Sequence, residues 1–93
     1  MDDAAHLFSA YFYEDWDEAE YSSWEAAVDD FALRSPGRVA GAAHDIRTLL
    51  SLQLADAELG LELRELGCSY SPPEGDQLWL ELVRDRLERI ATR

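Results

Sequence analysis

The apolar residues of this chain recur with helical spacing almost from end to end. Ala4, Leu7, Phe8, Tyr11 and Phe12 stand at offsets 0, 3, 4, 7 and 8, which puts all five on one face of an α-helix. Trp24, Ala27, Val28, Phe31 and Ala32 repeat those offsets. Val39, Ala42, Ala43, Ile46, Leu49 and Leu50 make a third stripe, and Leu59, Leu63 and Leu66 a fourth. Trp79, Leu82, Val83, Leu87 and Ile90 make the last. The few alternating residues elsewhere have no partner strand nearby. The pattern predicts an all-α fold, a compact bundle of about five short helices.

Helix boundaries follow from local chemistry. Ser22 lies three residues before Glu25, an S-x-x-E capping box that starts the second helix near Ser22. Ser35-Pro36 marks the next start, with Ser as cap and Pro at the first helical position. Asp56 and Asp76 are the expected caps of the fourth and fifth helices. Gly60 weakens the fourth by about 1 kcal/mol relative to Ala, and Gly67 suits the left-handed position that ends it. Arg84, Arg86, Arg89 and Arg93 crowd the C-terminal half of the last helix, where the dipole favours positive charge. Residues 13–21 are too acidic and irregular for a packed helix, and Pro72-Pro73 makes 68–75 an extended loop. No repeat or linker interrupts the 93 residues, so 1–93 reads as a single helical domain.

Charge narrows the function. Twenty acidic residues face eight arginines and no lysine, for a net charge of -12. Nucleic acid and anionic membranes require clustered positive charge, so neither is an expected partner; a basic protein is. An apolar fraction of 47% is too high for a disordered acidic tail. Cys68 is the only cysteine, which excludes an intrachain disulfide. No stretch approaches the roughly 20 apolar residues that span a bilayer. The Met1-Asp2-Asp3 start has no basic segment before an apolar run, so the expectation is a soluble, cytoplasmic protein.

The charge is lopsided. Residues 1–33 hold ten acids and no arginine, for -10, whereas 34–93 hold ten acids and eight arginines, for -2. Like charges this close repel, and folding does not call for them. Two readings remain: a solvated surface, the common meaning of a charge run, or a docking face for a basic partner. Tyr13, Trp16 and Tyr21 interleave with the acids, as aromatic anchors do at interfaces. Trp16 has two open roles: plugging the bundle from its loop, which its bulk favours, or facing a partner.

Catalytic constellations are absent. Asp15-Trp16-Asp17 is a lone D-x-D without further metal ligands, and the better reading has Asp15 or Asp17 accepting backbone N–H bonds in the turn after the first helix. Asp3 and His6 have carboxylate–histidine spacing, but no paired Glu-x-x-His accompanies them. His44 reads as a partly buried helix residue. Cys68 reads as a small packing group, since no basic neighbour in sequence lowers its pKa. Ser69 and Ser71 have no nucleophile-elbow context, and no glycine-rich phosphate loop exists. The chain is expected to be no enzyme and to need no metal or cofactor.

Two motifs carry a family resemblance. Tyr11-Phe12-x-x-Asp15-Trp16-Asp17, followed by Tyr21 and Glu25-Ala26-Ala27-Val28-x-x-Phe31, resembles the opening of bacterial contact-dependent growth inhibition immunity proteins. Leu66-Gly67-Cys68-x-Tyr70-x-Pro72 is similar to that family's element before its last helix. The resemblance covers nearly the whole chain in order and spacing. It departs at Tyr13-Glu14, where the family often has His-Gln, and at Ser22-Ser23, where it often has Ser/Asp-Pro.

The resemblance implies a small helical protein, encoded beside a toxin, that binds the toxin domain and blocks it. Many such toxins are nucleases with basic grooves, which an acidic inhibitor could occlude. The contact surface is then expected on Glu14, Asp17, Glu18, Glu20, Asp29 and Asp30, with Tyr13 and Tyr21 as aromatic anchors, in a one-to-one complex of monomers. Two alternatives stay open: an acidic adaptor or regulatory subunit unconnected with toxins, and a metal-dependent enzyme using Asp15 and Asp17.

Overall fold

The computed structural model describes residues 1–13 and 23–92. Among them lie five α-helices: α1 (Asp2–Tyr11), α2 (Trp24–Arg34), α3 (Val39–Ser51), α4 (Asp56–Glu65) and α5 (Asp76–Ala91). A short 3₁₀ turn, Pro36–Arg38, leads into α3. No strand occurs among the described residues. The expected all-α bundle is what forms.

Helix α5 is the central element. It makes its largest contact with α3 and packs also on α2 and α4, while α1 lies on α3 and α2. Trp24 meets Trp79 and Asp29 meets Arg86, so α2 and α5 run in the same direction. Arg47 meets Glu88, and Ala40 and Ala43 share a hollow with Ala91 and Thr92, so α3 runs antiparallel to α5.

The stripes become the core because burying aliphatic and aromatic surface is the main gain of folding, about 25 cal/mol per Å² of apolar area. Ala4, Leu7, Phe8, Tyr11 and Phe12 of the first stripe are all buried. Trp79 is fully buried and central, with ring centroids 5.3 Å from Phe12, 5.3 Å from Tyr70, 6.1 Å from Phe8 and 6.3 Å from Trp24. Spacings of this order suit edge and tilted aromatic pairs. Trp24, Ala32, Leu50, Leu66 and Ile90 pack at the margin, half-buried.

One stripe is corrected. Leu82 is exposed and Leu80, outside the expected stripe, is fully buried. At about 100° per residue the positions 79, 90, 83, 87 and 80 fill one arc, and position 82 falls roughly 60° outside it. Helix α5 has neighbours on several sides, so its buried arc is wider than a single-face stripe suggests.

The caps are corrected too. Ser23, not Ser22, caps α2; its Oγ accepts the Ala26 N–H at 3.2 Å. Glu25 is therefore one position short of the place from which a capping box reaches back. Ser35-Pro36 opens the 3₁₀ turn rather than α3 itself, and the Ser35 N–H closes α2 by bonding the Phe31 carbonyl at 2.8 Å. Asp56 and Asp76 are the first residues of their helices, after Ala55 and Gly75. Gly67 follows α4 with φ of 96°, the positive value expected of it, and a Cβ there would collide with Ser9. The 68–75 segment is a loop as expected, tied to the end of α1 by the Ser69 N–H bonding the Phe12 carbonyl at 2.7 Å.

Candidate docking surface

The acidic, aromatic segment lies between α1 and α2. Of the eight residues expected at the contact, Tyr13, Asp29 and Asp30 are among the described residues; Glu14, Asp17, Glu18, Glu20 and Tyr21 lie outside them, as do Trp16 and the Asp15–Asp17 pair. Tyr13 follows α1 and is half-buried. Asp29 and Asp30 stand on the outer side of α2, next to the buried Val28 and Phe31.

Both α2 aspartates are ion-paired within the chain. Asp29 holds Arg86 of α5 through two parallel bonds, Nε to Oδ1 at 2.9 Å and Nη2 to Oδ2 at 2.7 Å. This fork geometry is the strongest form of carboxylate–guanidinium pairing. The Asp29 bond is the chief cause raising the Arg86 pKa, with partial burial opposing it and Glu25 adding to the rise. Asp30 takes Nε of Arg34, one turn on, at 3.0 Å. Buried position first, and the Asp30 charge second, push the Tyr11 phenol upward. Arg38 likewise binds Asp3 at 3.0 Å. Among the described residues, Asp3, Asp29 and Asp30 are thus each paired with an arginine from 34–93, and the lopsided charge seen in the sequence is partly cancelled in space. Glu14, Asp15, Asp17, Glu18 and Glu20 of that third lie outside the described residues.

Beside these pairs runs an apolar hollow between α2 and α5, lined by Asp29, Ala32, Leu33 and Ile90. Leu33 is 81% exposed, the highest value among the large hydrophobic residues of the described chain. The sequence stripes did not mark it, since it lies off the buried face of α2.

A second, more enclosed space of about 130 Å³ lies between α4, the 68–75 loop and the start of α5. Asp56, Gly60, Arg64, Cys68, Tyr70 and Asp76 are among its walls. Asp56 Oδ1 accepts the Gln77 N–H at 3.1 Å, so the expected cap of α4 instead caps α5. Gly60 leaves space for Asp76: a Cβ there would stand 2.9 Å from its Oδ2. Gly75 adopts φ of 95°, and a Cβ there would press on Asp56 Oδ2 at 2.8 Å. Burial first, and Asp56 second, raise the Asp76 pKa, against Arg64. Burial also pushes the Cys68 thiol up to about 11. A protonated, 2% exposed thiol is a packing group, as expected, and a poor nucleophile.

The histidines do not assemble a site. His6 packs beside the mutually touching Tyr11 and Phe31 rings, with centroids at 6.5 and 6.0 Å, and Asp3 turns to Arg38 instead. His44 is exposed, contrary to the partly buried placement expected of it. No group of three or more His, Cys, Asp or Glu residues that could hold a metal occurs among the described residues. Nor is any described helix long and apolar enough to cross a membrane.

These features define a small helical bundle whose outer face offers ion pairs and exposed apolar side chains. The chain belongs to the CdiI immunity protein family: residues 3–87 match the model of that family. The matched span runs from the first turn of α1 deep into α5 and takes in both motifs read from the sequence. No curated protein and no solved structure matches the chain.

Proposed function

We propose that this immunity protein binds the toxin domain of a contact-dependent growth inhibition system one-to-one in the cytoplasm and neutralises it without catalysis. The observation that carries the reading is the family match over 3–87. The contact would lie on Tyr13, Glu14, Asp17, Glu18, Glu20 and Tyr21, with Asp29 and Asp30 at its α2 margin. Because Asp29 and Asp30 are held by Arg86 and Arg34, their part is to frame the contact rather than to supply net charge. Glu14, Asp17, Glu18 and Glu20 would steer a basic toxin surface toward the complex, and desolvated Tyr13 and Tyr21 would slow its release. A nuclease with a cationic substrate groove fits this charge.

Co-expression with the toxin domain encoded directly upstream tests the reading. Cells that survive, and a one-to-one complex that co-purifies, are the expected result. Cells that die despite soluble immunity protein, with no complex recovered, contradict it.

A further inference from the structure

We propose that the hollow between α2 and α5 receives an apolar side chain of the toxin domain whose neighbouring carboxylate pairs with Arg89. The proposal rests on the toxin-binding reading and adds to it a second contact of different chemistry. Leu33 stands 81% exposed at the rim, and Ala32 and Ile90, both half-buried, form the apolar wall. The hollow continues past Asp29 and Ile90 into a smaller one lined by Arg86 and Arg89. The Asp29–Arg86 pair borders this apolar wall, and contacts that border an apolar anchor help a few residues dominate binding by keeping water from it.

Charge selects the occupant. Asp29 is held by Arg86 and Asp30 by Arg34, so these carboxylates bring their own counter-charges. Arg89 differs: its Nε reaches only the Asp85 carbonyl, at 3.4 Å, and it forms no ion pair among the described residues. The positive charge at this end of the hollow therefore meets a neutral acceptor, in a chain of net charge -12. A purely basic toxin segment is mismatched here, whereas an apolar residue flanked by Asp or Glu matches both the wall and Arg89. A second copy of this chain is the poorer occupant, since association would bring two strongly negative molecules together.

The test measures binding of the full chain to the upstream-encoded toxin domain by surface plasmon resonance, with sedimentation velocity on the free chain. Leu33→Ala is expected to weaken affinity at least tenfold, mainly through faster dissociation, with an unchanged melting temperature because the side chain is exposed. Arg89→Glu is expected to weaken it at least as much, and Arg89→Ala less. Wild-type binding with all three variants within twofold of it overturns the proposal and leaves the immunity reading standing. A wild-type dimer lost in Leu33→Ala, with toxin affinity unchanged, overturns it in favour of self-association. Absence of any wild-type complex overturns the immunity reading and this proposal with it.

Discussion

Asp56, the first residue of α4, accepts the backbone N–H of Gln77 at the start of α5, 3.1 Å away. One carboxylate thus satisfies an orphan donor of a helix that begins twenty residues further on, Asp76 being its first residue. Helix α4 has its one substantial helix contact with α5, so this bond ties the least anchored helix to the most central one.

Asp56→Ala is expected to lower stability by about 1 kcal/mol, the usual cost of losing a side-chain cap. In a chain of this size that is a fall of roughly 4–8 °C in melting temperature. Asp56→Asn keeps an acceptor oxygen and should lose less. Thermal denaturation followed by circular dichroism checks the order; equal stability of Asp56→Ala and wild type contradicts the cap.

Asp76 predicts a pH signature of definite sign. Its folded pKa lies above the ordinary value of 3.8, from burial and then Asp56. The folded state therefore binds its proton more tightly than the unfolded chain does. The charged carboxylate weighs against folding at neutral pH, and the penalty is relieved as pH falls through the folded pKa toward 3.8. Asp76→Asn should be more stable than wild type at pH 7, with the gap closing in acid. A variant less stable at pH 7 would show that a negative charge at the first turn of α5 matters more than its burial.

Trp79 combines full burial with an indole N–H that has no acceptor among the described residues. Trp79→Ala should cost about 3–5 kcal/mol, the range for removing a buried aromatic ring. Trp79→Phe removes the orphaned donor along with part of the ring, and leaving such a donor unmade costs about 1–3 kcal/mol. The phenylalanine variant should therefore fall well short of the alanine loss. Urea unfolding distinguishes them; equal losses would mean the N–H is satisfied in solution.

Cys68 should resist alkylation at neutral pH, because its thiol is buried and protonated, with a pKa pushed up to about 11. Iodoacetamide labelling should become fast only once denaturant opens the fold. Rapid labelling of the native chain at pH 7.5 would contradict the placement of Cys68 in the core.

Much of the fold is legible in the sequence because burial is periodic. Leu7, Phe8, Phe31, Ile46 and Leu87 repeat with the helix and are buried. Periodicity marks Leu82 rather than Leu80 because it finds one face, and α5 is enclosed on more. Caps are less legible, since Asp56 has two helices within reach and the choice is made in space. The same holds for Asp29 and Arg86, paired across 57 positions, and for Asp45, whose carboxylate takes the Ala4 N–H across 41. Counting charges along the chain shows an excess of acid in the first third; it does not show which arginine returns to neutralise it. Leu33 is not legible in the stripes because a single leucine off the buried face breaks no pattern.

If, as proposed, acids between α1 and α2 steer a basic toxin onto this protein, the charge-reversed double variant Glu18→Lys, Glu20→Lys should lose that steering. Its association rate with the toxin domain should be measured against wild type from low to high salt. Slower association, weaker protection of cells and a shallower salt dependence are expected, with the helical fold retained. Association rates and affinities equal to wild type at every salt concentration would contradict it.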